Sequence, residues 1–337
     1  MQYGSRRLMS RLFAGAAIAA TFSVNTTAFA QSSYPNRPVT LISPYSTGGD
    51  ADLAARGLAA AAQDVLGQTI VVVNKVGASG VIGSAQVVAA PPDGYTLLLA
   101  RTGSQSILPA IEPTSTKYKW DDYTFIGTLE LNPYGCVVNA KSPYKKFEDL
   151  AQAIRTKGKT LNYATAGSLT TNDMGPRQLF RLLKVTDQVP TQIPYKGTGD
   201  TTMSLMGNET EFSCGSLGPF LSLIKSGELR ALMVTTAERI EPLPDVPTAR
   251  ELGFKDMELI VGWSALFGPP GLPDDVRDKW VSVLKTVSKD PKWLKSTAQT
   301  GSIPYVTTPG ETKEFARKQH ELYRSLGEQL NIIDSKK

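Results

Sequence analysis

Short apolar runs that end in glycine and hydroxyl residues recur along this chain, each followed by a helical pattern. That alternation restricts the fold more than any other feature. Val39 to Tyr45 is apolar and ends in Ser46-Thr47-Gly48-Gly49. Asp52 to Leu66 has helical spacing and stops at Gly67, Ile70 to Val73 reads as a strand, Ser84 to Ala90 as a helix stopped by Pro91-Pro92, and Tyr95 to Ala100 as a buried strand. This β-α-β-α-β order implies a parallel sheet with helices on both faces.

A second cycle follows. Strands are expected at Tyr134 to Val138, Thr160 to Ala164, Gln192 to Tyr195, Thr210 to Cys214 and Leu229 to Thr235. Helices are expected at Phe147 to Thr156, Gly175 to Lys184, Thr201 to Met206 and Pro219 to Ser226. Leu259 to Phe267 is an extended apolar run, and the tail is helical over Asp274 to Ser288, Pro291 to Gln299 and Thr312 to Leu330. The fold class is therefore α/β with two lobes, with the chain crossing between them twice. The expected boundaries are 31–133 and 259–337 for the first lobe and 134–258 for the second.

The N-terminus reads as an export signal. Arg6, Arg7 and Arg11 precede an Ala-rich run from Leu12 to Val24, and Ala28-Phe29-Ala30 supplies a small-x-small cleavage pattern, so residues 1–30 are expected to be removed. Ser5-Arg6-Arg7 leaves a twin-arginine route open beside the general one. The expected location is the periplasm.

The formal net charge of +5 does not make a nucleic-acid binder. Without Arg6, Arg7 and Arg11, 33 basic residues face 31 acidic ones, and a near-neutral body lacks the basic footprint that phosphate binding needs. One His and two Cys exclude clustered metal sites, and no cofactor is implied. Cys136 and Cys214 sit in strand-like runs; an oxidising compartment permits a bond between them, and free buried thiols are equally common. His320, among Arg317, Lys318 and Glu321, is expected in solvent. No serine–base pair, Walker-type loop or zinc-ligand spacing argues for an enzyme.

The candidate site residues lie at strand ends. Ser46, Thr47, Gly48, Gly49 and Asp50 follow the first strand and open a helix, where free N–H groups suit an anion. The same residues also suit an ordinary turn capped by Asp50 or Asp52. Arg101, Thr102, Gly103 and Ser104 follow the third strand. Arg101 is either a bidentate carboxylate ligand or the partner of a nearby acid. In the second lobe, Thr165, Ala166, Ser168, Thr170 and Thr171, with Asn172 closing the turn, repeat the pattern, as do Thr198 and Asp200 after Lys196-Gly197. A carboxylate repels an anion, so capping is the better role for Asp200. Hydroxyls and amides in number, without a base, suit holding an oxyanion rather than attacking a bond.

The chain also resembles a known family. Tyr34-Pro35-Asn36-Arg37-Pro38, Val71 to Gly83, Pro92-Asp93-Gly94-Tyr95, Leu229-Arg230-Ala231-Leu232 and Phe267-Gly268-Pro269-Pro270-Gly271 stand in the order seen in Bug or TctC-like receptors of tripartite tricarboxylate transporters. The resemblance implies a venus-flytrap fold, a monomer that binds a small carboxylate and hands it to membrane transporter subunits. A sensor kinase ectodomain is the alternative partner. In such receptors one carboxylate is held by the first glycine loop and by the facing loop of the second lobe. Leu169 and Asp173 replace the family's usual glycine and histidine, and Arg101 replaces a small neutral residue. With Leu169 as an apolar wall and Arg101 as a second cation, the resemblance points toward a flat dicarboxylate and a receptor for terephthalate.

Overall fold

The computed structural model describes residues 34–333; the expected export signal lies outside the described residues. The first sheet is built from β1 (Val39–Ser43), β2 (Ile70–Asn74), β3 (Thr96–Arg101) and β4 (Thr124–Asn132). Among these run α1 (Asp50–Leu66), α2 (Val81–Val88) and α3 (Leu108–Ile111). The second sheet holds β5 (Tyr134–Asn139), β6 (Asn162–Thr165), β7 (Thr191–Pro194), β8 (Phe212–Ser216) and β9 (Leu229–Val234). Its helices are α4 (Phe147–Lys157), α5 (Thr171–Leu182), α6 (Thr198–Met206) and α7 (Leu221–Lys225). The chain then returns to the first sheet as β10 (Gly262–Gly268), α8 (Asp274–Val287), α9 (Pro291–Gln299), β11 (Ile303–Pro304) and α10 (Pro309–Gln329).

The first sheet runs β11-β4-β10-β3-β1-β2 and the second β7-β6-β8-β5-β9. The α/β two-lobed architecture is the one the alternating pattern implies, and one detail of it is corrected. Pairing is parallel for β1 with β2 and β3 and for β6 with β7 and β8, but β10 and β5 are antiparallel to both of their neighbours. Both sheets are thus mixed. A strand that returns from the other lobe enters from the opposite end, so the helical crossovers that impose parallel direction do not apply to it.

The two crossings run side by side. Only Pro133 separates β4 from β5, and on the return the Thr235 N–H donates to the Tyr134 carbonyl at 2.8 Å while its hydroxyl donates to the Ile260 carbonyl at 3.0 Å. Leu41, Leu58, Leu97, Trp280 and Trp293 pack between the first sheet and α1, α8 and α9; Leu205, Phe220 and Leu229 form the matching core beside α6 and α7. Cys136 and Cys214 stand directly opposite each other on β5 and β8 and are disulfide-bonded, which settles a pairing that composition left open. His320 departs from expectation. It is half-buried with its ring 5.8 Å from that of Trp120, and burial holds its imidazole below the usual range.

Candidate functional site

The turn after β1 is ordered by Asp52, not capped by it. Gly49 is the cap residue of α1, and the buried Asp52 carboxylate accepts from the Gly48 N–H, from Arg56 Nε and from Asn74 Nδ2 at 2.9–3.0 Å. This ties the loop to β2 and leaves Asp50 facing the other lobe. There the turn before α6 meets it: Ser46 N–H donates to the Lys196 carbonyl at 3.3 Å, and the Thr198 hydroxyl donates to Asp50 Oδ1 at 3.1 Å. The two loops approach so closely that a Cβ on Gly199 would lie 2.5 Å from the Thr47 carbonyl oxygen, and one on Gly197 2.4 Å from Ser46 Oγ. Only glycine fits at either place.

Between the lobes lies a cavity of about 20 Å³. Tyr45, Asp50, Arg101, Thr102 and Gly103 line it from one side, and Ala166, Thr170, Thr171, Asn172 and Thr198 from the other. Arg101 is 5% exposed and both of its terminal nitrogens are engaged: Nη2 pairs with Asp50 Oδ2, while Nη1 donates to Asn132 Oδ1 at 2.8 Å and to Ser264 Oγ. Of the two readings that position alone allowed, pairing with an acid is the one observed, but inside the cleft and not on an exposed rim. Glu130 extends the network, its Oε1 accepting from Asn132 Nδ2 at 2.9 Å and from Ser264 Oγ at 3.0 Å. Strand register explains the cluster. Ser264 of β10 pairs with Arg101 on one side and with Glu130 on the other, so the three side chains stand in a row across β3, β10 and β4.

The opposite side has no charged lining residue. Thr170 caps α5 and donates to the Gly167 carbonyl at 2.8 Å, Thr171 shares a hydrogen bond with the Tyr134 hydroxyl, and Thr170, Thr171 and Asn172 are all buried. Asn172 is 3% exposed, and its Nδ2 has no hydrogen-bond partner among the described residues. A helix start across a cavity from a guanidinium is an arrangement for an oxyanion. Tyr45 keeps its proton, burial pushing its hydroxyl up to about 12, and it donates to the Ser79 carbonyl at 2.9 Å.

The structure brings Asp50, Arg101, Thr102, Ala166, Thr170, Thr171 and Thr198 to the cavity. It places the other candidates elsewhere. Thr47 and Ser168 are exposed, Gly48 and Gly49 form the loop contact, and Ser46 Oγ is buried against Gly197. The Thr165 hydroxyl accepts from Gln192 Nε2 at 3.0 Å inside the second lobe, and Ser104 lies beneath Gly80. Asp200 sits in the first turn of α6, beside a surface groove with Tyr195 and Met203, and Gly197 is the cap in its stead. Leu169 is no wall of the cavity: it takes the left-handed backbone a glycine would take (φ 54°) and packs into the core. Asp173 holds that loop, accepting from the Leu169 N–H, the Tyr163 hydroxyl and Arg177 Nε at 2.9–3.0 Å. Tyr45, Gly103 and Asn172 adjoin or lie within the glycine–hydroxyl turns and were within reach of sequence reasoning. Glu130, Asn132 and Ser264 carry no local signal.

Comparison with known proteins gives a consistent picture. Residues 54–332 match the tripartite tricarboxylate transporter family receptor. A UPF0065 protein of Agrobacterium vitis is 36% identical over 275 residues, covering 82% of this chain and 78% of that one. The structure of the periplasmic binding protein BugD superposes with a TM-score of 0.85 at 30% identity, covering 89% of this chain and 99% of BugD. MatC from Rhodopseudomonas palustris, solved with bound malate, superposes with a TM-score of 0.82 at 26% identity, covering 87% and 99%. The chain therefore belongs to the tripartite tricarboxylate transporter receptor family, whose members bind a solute and are not enzymes.

Proposed function

We propose that this receptor is exported, captures a small carboxylate in the cleft between its lobes, and delivers it to a membrane transporter. The finer reading is an aromatic dicarboxylate such as terephthalate. One observation carries the proposal: Arg101 and the start of α5 face each other across one cavity. The malate bound to MatC, a dicarboxylate, supports the class of ligand. Leu169 is not a cavity wall, so the aromatic part of the reading stands on the flanking Tyr45 and the second acid on Arg101. A cavity of about 20 Å³ holds roughly one water, so an acid of any size reaches Arg101 only when the lobes part about the strands that cross between them.

Calorimetric titration with terephthalate, benzoate and malate tests this. Arg101→Ala should weaken terephthalate by about 2–5 kcal/mol, the range for stripping one partner from a desolvated charge pair, and benzoate far less. Arg101→Lys should recover little, because an ammonium cannot reproduce the planar fork. Equal weakening of diacid and monoacid would take Arg101 away from the far carboxylate and end the dicarboxylate reading.

A further inference from the structure

Arg101 is shared by two acids. Asp50 pairs with it directly, and Glu130 reaches it through Ser264 and Asn132, each of which accepts from Arg101 and donates to Glu130. Glu130 itself is 5% exposed and does not line the ligand cavity. Its other neighbours are uncharged: β10 presents Ser264, β11 presents Pro304, α1 presents Leu53, Ala54 and Gly57, and α9 presents Trp293, Ser296 and Thr297, with Thr300 just beyond it. Arg101 and Asp50 are the charged groups that act on it. With both acids ionised, the cluster already carries one excess negative charge, and a ligand carboxylate at Arg101 would add another in a site shielded from water. Burial of uncompensated anions is strongly unfavourable, and a buried carboxyl meets that by holding a proton.

We propose that Glu130 is the positioning residue for Arg101 and makes ligand capture proton-linked, so that the receptor takes up a proton as a carboxylate reaches the guanidinium. This rests on the cavity being the ligand site. Two features favour Glu130 as the group that takes the proton. Burial already raises its carboxyl above the ordinary range, against the opposing pull of Asn132, Arg101 and Ser264. A second cavity of about 10 Å³, lined by Glu130 with Gly57, Ser296 and Thr300, leaves room for roughly one water on the side away from the ligand. A ligand carboxylate competes for the Arg101 donors, weakens that pull, and so tightens the proton on Glu130. Affinity must then fall as pH rises.

The test is calorimetric titration of the wild-type chain and Glu130→Gln with terephthalate and with malate, in two buffers of different ionisation enthalpy, from about pH 5 to about pH 8. Wild type should take up a proton, with affinity falling by up to about tenfold per pH unit over the linked range. Glu130→Gln keeps the shape and the hydrogen-bond acceptor but cannot titrate, so its proton uptake and pH slope should both vanish. The same uptake in both proteins, or none in wild type, overturns the inference. Failure of the site reading looks different: neither acid binds, or Arg101→Ala leaves affinity unchanged, and the inference falls with it.

Thermal unfolding without ligand supplies an independent arm. The folded Glu130 carboxyl holds its proton more tightly than the unfolded one, so it supports folding below the ordinary 4.5 and loses that contribution as pH rises through the raised value. Glu130→Gln should therefore gain in Tm relative to wild type as pH climbs above 4.5. A Tm difference that does not change with pH overturns the assignment of the proton to Glu130.

Discussion

The two sides of the cavity differ in how their polar groups are held. On the first lobe Arg101 and the polar groups behind it sit in a row on strands β3, β10 and β4, where Ser264 pairs with both Arg101 and Glu130. On the second lobe the polar groups sit at helix starts, with Thr170 capping α5 and Thr198 opening α6. The first-lobe side carries the charges, Arg101 at the end of β3 and Asp50 at the start of α1, and the second-lobe side carries neutral donors. Strands hold side chains rigidly next to partners far away in sequence, which a buried ion cluster requires if no member is to be left unpaired. Helix starts offer free N–H groups without any ion, but the loops that deliver them must be held in place. In the second lobe the Cys136–Cys214 bond braces the sheet beneath those loops; the first lobe has no such bond among the described residues.

The largest expected effect tests that difference directly. Replacing Cys136 and Cys214 together by Ala should lower stability by about 2–5 kcal/mol in denaturant titration. Hydrogen exchange should quicken in β5 to β9 and leave β1 to β3 slow. Uniform loosening of both sheets would break the contrast between a braced lobe and an unbraced one. Gly199→Ala comes next. Its Cβ would meet the Thr47 carbonyl at 2.5 Å, and neither backbone can yield without moving the loops apart. Ligand affinity should drop by about 1–3 kcal/mol, as for other overpacked contacts, while unfolding of the chain changes less. Undiminished affinity would mean that the loop contact plays no part in closing the cleft.

The smallest effect belongs to His320, on α10 behind the first sheet. Burial against Trp120 makes the folded imidazole give up its proton more readily than the unfolded one. Stability is therefore complete above the ordinary value of 6.5 and declines as pH falls toward the lowered one. His320→Gln should remove that decline, a change of about 2 °C or less in Tm on acidification. If the decline persists in the variant, another group on the first lobe is its source.

The pattern of apolar runs and glycine turns was enough for the α/β class and the order of elements, because helices and strands of this kind are written in local periodicity. The second-lobe half of the site was legible as glycine–hydroxyl turns holding Thr170, Thr171 and Thr198, although the helices expected from Gly175 and Thr201 begin earlier, at Thr171 and Thr198. The strand over Thr124–Asn132 was not legible, since Gly127, Glu130 and Asn132 interrupt its apolar run, and with it went the antiparallel crossings. Arg101 could be noticed in the sequence, but its partners could not. Ser264 lies 163 residues away from it and Glu130 another 134 back from Ser264. Which side chains become neighbours across a sheet depends on register between strands that meet only after folding. Local sequence therefore decided where the backbone would offer donors, and tertiary structure alone decided which charges would share one guanidinium.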